Sequence, residues 1–180
     1  MRSAIKSDAS AITDLANLCF GDAYTSVSEV EGFIEDPENR LYIEEDEKGL
    51  AGAVLFLKDN KENLNEDMEV SAADFDRISE GKKVLHHKFS IIREDLRGQG
   101  IMTRMLDDAI DHAAKEGVYG AIFTQGWIKQ GEIPMENIFY RAGYTVYKRQ
   151  IKPWWKYADR TCNICGGRCK CDAMVYYRKL

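Results

Sequence analysis

The segment LRGQGIMTRML, residues 96–106, begins as a glycine-rich turn and continues as an amphipathic helix. A helix begins with backbone N–H groups that have no partner, and its dipole is positive at that end. Gly98 and Gly100 let the backbone curl and let a ligand approach without a Cβ in the way, and Arg97 adds a positive charge. The segment therefore predicts a site for a phosphate or pyrophosphate, with a plain strand-to-helix turn as the alternative.

Cysteines form a second group that could do chemistry. Four of the five lie within ten residues of one another, at Cys162, Cys165, Cys169 and Cys171. Gly166 and Gly167 allow the sharp turn that brings the two pairs together, and four thiolates suit tetrahedral zinc or, less often, an iron–sulfur cluster. The spacing predicts a structural zinc ion, with free or redox-active thiols and disulfides as the alternatives.

The chain that positions these residues has 180 residues, of which 44% are hydrophobic and 31% charged. This composition is that of a globular protein and predicts a single domain over residues 1–180. No apolar run approaches the length of a membrane span. The opening MRSAIKSDAS contains no apolar signal core, so we expect a cytoplasmic location, where disulfides are rare.

Charge is distributed unevenly along the chain. Residues 59–80 hold eight acidic and two basic side chains, whereas residues 148–180 hold nine basic and two acidic ones. Such runs are usually solvated surface. As the functional alternative, one run attracts cations and the other anions.

The periodicity of the apolar residues predicts strands and helices in alternation. After a short first strand, we expect helices around 12–19, 26–35, 98–115 and 134–142, and strands at 41–45, 50–57, 84–92, 118–124, 144–149 and 173–179. This order predicts a mixed α/β fold with a mostly antiparallel central sheet flanked by helices. An acidic insert at 58–83 is expected to be a polar loop, in part helical, and a Cys-rich insert at 150–172 connects the last two strands.

Two segments together resemble the GNAT superfamily of N-acetyltransferases. SIIREDLRGQGIMTRML, residues 90–106, resembles its acetyl-CoA signature, which is Arg or Gln, two residues, Gly, one residue, then Gly or Ala. NIFYRAGY, residues 137–144, resembles the family's helix end, and VYYRKL its last strand. The resemblance covers nearly the whole chain except the two inserts. Met102 departs from the signature, and its side chain lies either beside the pyrophosphate or in the core.

The resemblance implies a binding mode for acetyl-CoA. The pyrophosphate is expected on the turn, at Arg97, Gly98, Gln99, Gly100 and Met102. The pantetheine arm is expected to pair with the end of the preceding strand near Ser90 and Ile92, where a backbone N–H would bind the thioester carbonyl. Asn137 matches a position that often contacts the cofactor arm.

The resemblance also implies the chemistry, which is direct attack of a primary amine on the thioester. Tyr140 matches the family's general acid, because a phenol can protonate the leaving thiolate; the alternative is a half-buried helix aromatic. His86 occupies the place of a general base, and histidine titrates near neutrality; the alternative is an exposed strand histidine. Alternation predicts one strand face formed by His86, Lys88, Ser90 and Ile92, and His87 in the core or at an edge.

The acceptor is expected to be the primary amine of a small molecule or peptide. An acidic rim formed by the insert would favour a cationic amine. The alternatives to an acetyltransferase are a nucleic-acid-binding protein, which we consider less favoured, and a metal or redox sensor, both using the 162–171 knuckle on an acyltransferase-like fold. The sequence does not indicate the oligomeric state.

Overall fold

A seven-stranded sheet forms the centre of the molecule, with the strand order β1-β2-β3-β4-β5-β7-β6. The computed structural model describes residues 1–180. The strands are β1 (Arg2–Ser3), β2 (Arg40–Asp46), β3 (Gly49–Asp59), β4 (Lys83–Ile92), β5 (Tyr119–Trp127), β6 (Thr145–Gln150) and β7 (Ala173–Lys179). Only β4 and β5 run parallel, while every other neighbouring pair is antiparallel. The predicted mixed α/β fold with a mostly antiparallel sheet is confirmed.

Six helices cover both faces of this sheet. They are α1 (Ala9–Phe20), α2 (Val27–Glu35), α3 (Lys61–Met68), α4 (Ala72–Ser79), α5 (Ile101–Glu116) and α6 (Glu136–Arg141). Helices α1 to α4 pack on one face, whereas α5 and α6 pack on the other. No helix combines the length and the apolar character needed to cross a membrane.

The two cores follow from the side-chain alternation along the strands. On β3, Leu55 is buried under α1 and α2, whereas its neighbours Val54 and Phe56 are buried under α5. Helix α5 contributes an apolar stripe at helical spacing, formed by Met102, Met105, Leu106, Ala109, Ile110 and Ala113. The sequence periodicity that predicts this helix is therefore the periodicity of its buried face.

The acidic insert is more ordered than a loop. It folds into α3 and α4, which begin at the capping side chains of Asn60 and Ser71. Leu64, Phe75 and Ile78 pack from these helices against the strands β4, β5 and β7. The insert thus adds a third core cluster. Its acid-rich sequence does not predict this cluster, because only a few apolar residues of the insert form it.

The acidic and basic charge runs meet in the folded protein. Lys156 lies 2.6 Å from Asp67, Lys179 lies 2.9 Å from Glu80, and Lys148 contacts Glu69. Exposed pairs of this kind add little stability. Their consequence is that these three basic residues already have acidic partners, which weakens the nucleic-acid alternative.

The packing of the insert predicts a stability effect for Leu64→Ala. Leu64 is fully buried, so the variant leaves a cavity and should lower the free energy of unfolding by about 2–5 kcal/mol. Glu66→Ala, an exposed position on the same helix, is the matched control and should change it by less than about 0.5 kcal/mol. Urea unfolding measures both, and equal stabilities would mean that the insert does not pack.

Candidate active site

The two parallel strands separate halfway along their length. Their pairing ends at His87 and Thr124, where the Thr124 hydroxyl donates to the His87 carbonyl at 2.9 Å. Beyond this point β4 pairs only with β3, and β5 only with β7. The gap opens into a cavity of about 560 Å³.

The cavity runs between three structural features. One part of its wall is the glycine turn before α5, and another is the gap between β4 and β5. A third part, which we call the far end, is formed by the turn after α1 together with the Cys-rich insert, through Asp22, Tyr24, Trp154, Tyr157, Arg160 and Cys162. Residues from both halves of the chain therefore line one continuous space.

The glycine turn has the backbone that its sequence predicts. Gly98 and Gly100 have φ of 76° and 74°, and Gly100 is the N-cap of α5. A Cβ at Gly98 would meet nothing within 4 Å, so the space over the turn is open. Arg97 also lines the cavity. The Met102 side chain is only 5% exposed and packs in the core under α5, while the residue also lines the cavity.

A β-bulge in β4 overturns the predicted strand face. Phe56 opposes His87 and Leu55 opposes Phe89, so Lys88 is an extra residue on β4. An extra residue shifts the alternation of all that follow it. Ser90 bonds to His87 on the α5 face. The prediction that His86 shares a face with Ser90 and Ile92 is therefore wrong.

Ile92 lies with Ser90, since it packs against the core under α5. His86 instead opposes Leu57, whose side chain packs against the core under α1 and α2. Both groups still line the cavity, because the gap between β4 and β5 is open to both faces. The sheet thus presents them to the cavity from opposite sides.

His87 is the centre of a polar chain within the core. Its Nε2 lies 2.7 Å from the Ser90 hydroxyl and its Nδ1 lies 3.3 Å from the Tyr144 hydroxyl. The buried Tyr144 hydroxyl has no other acceptor, so it donates to Nδ1, and Nε2–H then donates to Ser90. Burial holds the pKa of His87 down to about 3. The Ser90 hydroxyl hydrogen is left free to donate toward the cavity.

His86 is buried rather than exposed, so its predicted structural alternative is also wrong. Its Nδ1 lies 3.4 Å from an oxygen of Asp59, and both side chains are over nine-tenths buried. Burial lowers the pKa of His86, while Asp59 acts in the opposite direction. The pair is a histidine–carboxylate arrangement that can accept a proton.

Two cations without ion-pair partners lie at the far end of the cavity. Lys88 is the bulged residue of β4, and Arg160 comes from the Cys-rich insert. The Arg160 guanidinium stacks 4.2 Å from the ring centroid of Tyr157 and 5.7 Å from that of Tyr24. Burial and, to a lesser extent, the charge of Arg160 lower the pKa of Lys88. Asp22 is the unpaired carboxylate of this end, so the two basic side chains outnumber it.

Among the predicted cofactor-binding and catalytic residues, three do not line the cavity: Gln99, Asn137 and Tyr140. The Gln99 amide donates to the Asp95 carbonyl at 3.0 Å. Tyr140 is half exposed, with its hydroxyl 3.4 Å from Glu136. Its neighbour Phe139 lines the cavity instead, since one helical step turns a side chain by about 100°.

The four clustered cysteines come together as their spacing predicts. Their sulfur atoms all lie within 4.8 Å of one another, and none forms a disulfide. Cys162 and Cys169 also line the cavity. The cluster is therefore part of the cavity wall rather than a separate appendage.

Sequence reasoning overlooked Lys88, Arg160 and Tyr24 as residues of the site. Only contact between distant segments brings Arg160 and Tyr24 together, so no local pattern marks them. For Lys88 a weak signal exists, because it is a charged residue in an otherwise apolar strand.

Comparison with known proteins identifies related sequences and folds. A family model described as the acetyltransferase (GNAT) family matches residues 9–144. A search of curated protein sequences gives no significant match.

Solved structures share the fold over almost the full chain. A Bacillus subtilis acetyltransferase in complex with CoA is 17% identical, with 95% of this chain and 92% of that chain covered and a TM-score of 0.63. A Brucella melitensis ribosomal-protein-alanine N-acetyltransferase is 13% identical, with coverages of 99% and 98% and a TM-score of 0.67. A Salmonella typhimurium protein with its cofactor acetyl-CoA is 16% identical, with coverages of 99% and 92% and a TM-score of 0.66.

The buried neutral His87 predicts a pH dependence of stability. Its pKa falls from 6.5 to about 3 on folding. Between these two pH values the imidazole is protonated in the unfolded chain and neutral in the folded chain. The free energy of unfolding should therefore decrease as the pH falls below 6.5, by up to about 1.4 kcal/mol per pH unit for this group. Urea unfolding at several pH values should show a shallower dependence for His87→Gln than for wild type, and parallel profiles would contradict the assignment.

Proposed function

The chain belongs to the acetyltransferase (GNAT) family, and from this membership we propose that it transfers an acetyl group from acetyl-CoA to a primary amine. One observation carries the proposal: the glycine turn and the opened strand pair line the same cavity. An anion site and an unpaired strand edge thus open into one cavity, which suits a long cosubstrate with a phosphorylated end.

The turn fits the pyrophosphate of acetyl-CoA. Backbone amides at the start of α5, the positive end of the helix and Arg97 all favour a negative group there. Gly98 leaves the space above it open. Met102, which departs from the family signature, is nearly buried in the core, so little of its side chain faces the cavity that it lines.

The edge of β4 fits the pantetheine arm. From Phe89 to Ile92 the strand has a neighbour only on the β3 side, so backbone groups on the other side are available to a ligand. An extended arm with amide groups can pair with such an edge as a strand would. A backbone N–H in this stretch would then polarise the thioester carbonyl.

The reaction forms a C–N bond and breaks the C–S bond of the thioester. The attacking amine must be neutral and loses a proton, for which the His86–Asp59 pair at the gap is our proposed acceptor, directly or through water. The leaving group departs as a thiolate, which the free hydroxyl of Ser90 would stabilise by a hydrogen bond, and solvent supplies the proton that the thiolate finally gains. His87 serves as a positioning residue, because its Nε2–H holds the Ser90 oxygen.

The role of Tyr140 as the general acid stays a prediction. Its hydroxyl contacts Glu136, and its ring does not line the cavity. The position of Tyr140 therefore favours its structural alternative, a partly exposed helix aromatic.

The charged side chains at the far end of the cavity indicate which chemical class of acceptor could bind there. Lys88 and Arg160 line this end with no ion pair. Of the two carboxylates that line the cavity, Asp67 is paired with Lys156 and only Asp22 is unpaired, so basic side chains are in excess. Because the Asp67 carboxylate of the acidic insert is already paired, it would attract a cationic amine only weakly. We therefore propose an acceptor that carries a carboxylate or similar anionic group near its amine, as an amino acid does.

Calorimetric titration with acetyl-CoA tests the cofactor site. Gly98 and Gly81 share φ of 76° and open surroundings, but only Gly98 lines the cavity. Gly98→Val should weaken binding at least about tenfold, or 1.4 kcal/mol, because its side chain occupies the approach to the turn. The matched variant Gly81→Val carries the same backbone strain and should bind like wild type. Absence of binding by folded wild-type protein would overturn the proposed function.

Matched amine pairs test the acceptor class. Lysine and cadaverine, or tyrosine and tyramine, differ only in the α-carboxylate, so CoA release should be faster with the amino acid of each pair. Arg160→Gln should remove this preference by raising KM for the amino acid. Lys152→Gln, an exposed position on the same insert that does not line the cavity, is the control. Faster reaction of the decarboxylated amines would contradict an anionic acceptor.

A further inference from the structure

The four clustered cysteines form a set of ligands with the geometry of a closed metal site. Their sulfur atoms lie within 4.8 Å of one another, and those of Cys165 and Cys171 lie 3.5 Å apart. A tetrahedral zinc ion with Zn–S bonds of about 2.3 Å separates its sulfurs by roughly 3.8 Å. We propose that these four thiolates bind one zinc ion and that the bound ion holds the acceptor wall of the cavity in place.

The local backbone supports metal binding. A tight turn joins the first two ligands, since the Gly166 N–H donates to the Cys162 carbonyl at 3.0 Å and the Cys162 N–H donates to the Gly167 carbonyl at 2.8 Å. The Lys170 N–H points to the Cys165 sulfur at 3.3 Å. Backbone N–H groups directed at sulfur stabilise thiolates and orient them toward a metal.

The Cys-rich insert has no apolar core that could hold it folded. Within residues 151–172, only Cys162 is buried. A segment of this length must offset its chain entropy by some interaction, and the free energy of zinc binding is available for that purpose. All four ligands come from protein, which leaves no open position and indicates a structural rather than a catalytic ion.

The insert is attached to the end of α1. The Thr161 N–H donates to the Asp22 carbonyl at 3.1 Å, and the Asn163 amide donates to the Cys19 carbonyl at 2.8 Å. A Cβ at Gly21 would lie 1.9 Å from the Thr161 carbonyl oxygen, so only glycine permits this approach. The cysteine cluster is thereby fixed against the turn that closes the far end of the cavity.

This attachment links the metal site to the cavity. Cys162 and Cys169 line the cavity themselves, and Arg160 and Thr161 directly precede Cys162. The bound ion would fix the loop that follows Arg160, and so would add to the hydrogen bonds and ring contacts that hold Arg160 above Tyr24. That the wall contacts the acceptor rests on the proposed function, whereas the metal site stands without it.

Cobalt substitution tests the metal site. After zinc is removed by a chelator under reducing conditions, Co²⁺ should bind at one ion per chain, with the visible bands of tetrahedral cobalt and a near-ultraviolet thiolate charge-transfer band. Zinc should displace it. Cys165→Ser should lose or weaken these bands, and Cys19→Ser, the cysteine outside the cluster, should retain them. A protein that shows no thiolate-to-cobalt band, that carries an iron–sulfur chromophore, or whose four thiols are disulfide-bonded as purified would overturn the proposal.

Hydrogen exchange measured by mass spectrometry tests the wall. Zinc should increase protection of peptides from residues 151–172 and 17–25, while peptides from the glycine turn at 96–104 should not change. Acetyl-CoA should bind zinc-free and zinc-loaded protein with the same affinity. Increased protection confined to the cysteine loop would contradict the proposal that zinc holds the acceptor wall in place. Cobalt binding without acetyl-CoA binding would leave the metal site intact and overturn only the proposed function.

Discussion

The separation of β4 from β5 is the constraint on which the rest of the structure depends. Backbone groups at the centre of a sheet are normally paired on both sides, and here the pairing stops at His87 and Thr124. The bulge at Lys88 changes the course of β4 at this point. An open edge inside a sheet is costly unless something occupies it, and a bound arm with amide groups meets that need. The cavity, the glycine turn and the far wall are all arranged around this gap.

A chain of polar groups inside the core leads to the same gap. Tyr144, His87 and Ser90 form one chain of hydrogen bonds, so burial leaves none of the three without a partner. Such a chain is stable only when each member is satisfied. It ends at a hydroxyl on the cavity side, so the buried, neutral His87 orients a hydrogen-bond donor.

The two inserts give this acetyltransferase fold its individual features. The acidic insert supplies a core cluster beneath β5 and β7 and binds basic residues of the C-terminal region. The Cys-rich insert closes the far end of the cavity from the other side. The two charge runs, which look like separate surfaces in the sequence, thus pair with each other within the chain, whereas Lys88 and Arg160 line the cavity without an ion-pair partner.

Local signals determined a large part of this protein in its sequence. The glycine turn, helix α5, the succession of strands and helices along the chain and the four-cysteine spacing each depend on residues a few positions apart, so their patterns are visible without a structure. Tertiary structure alone decided the face of His86, because one bulged residue reverses the alternation, and the outward position of Tyr140, because one helical step separates it from Phe139. It also decided the meeting of Lys88 with Arg160, since contact between segments about seventy residues apart leaves no periodic trace.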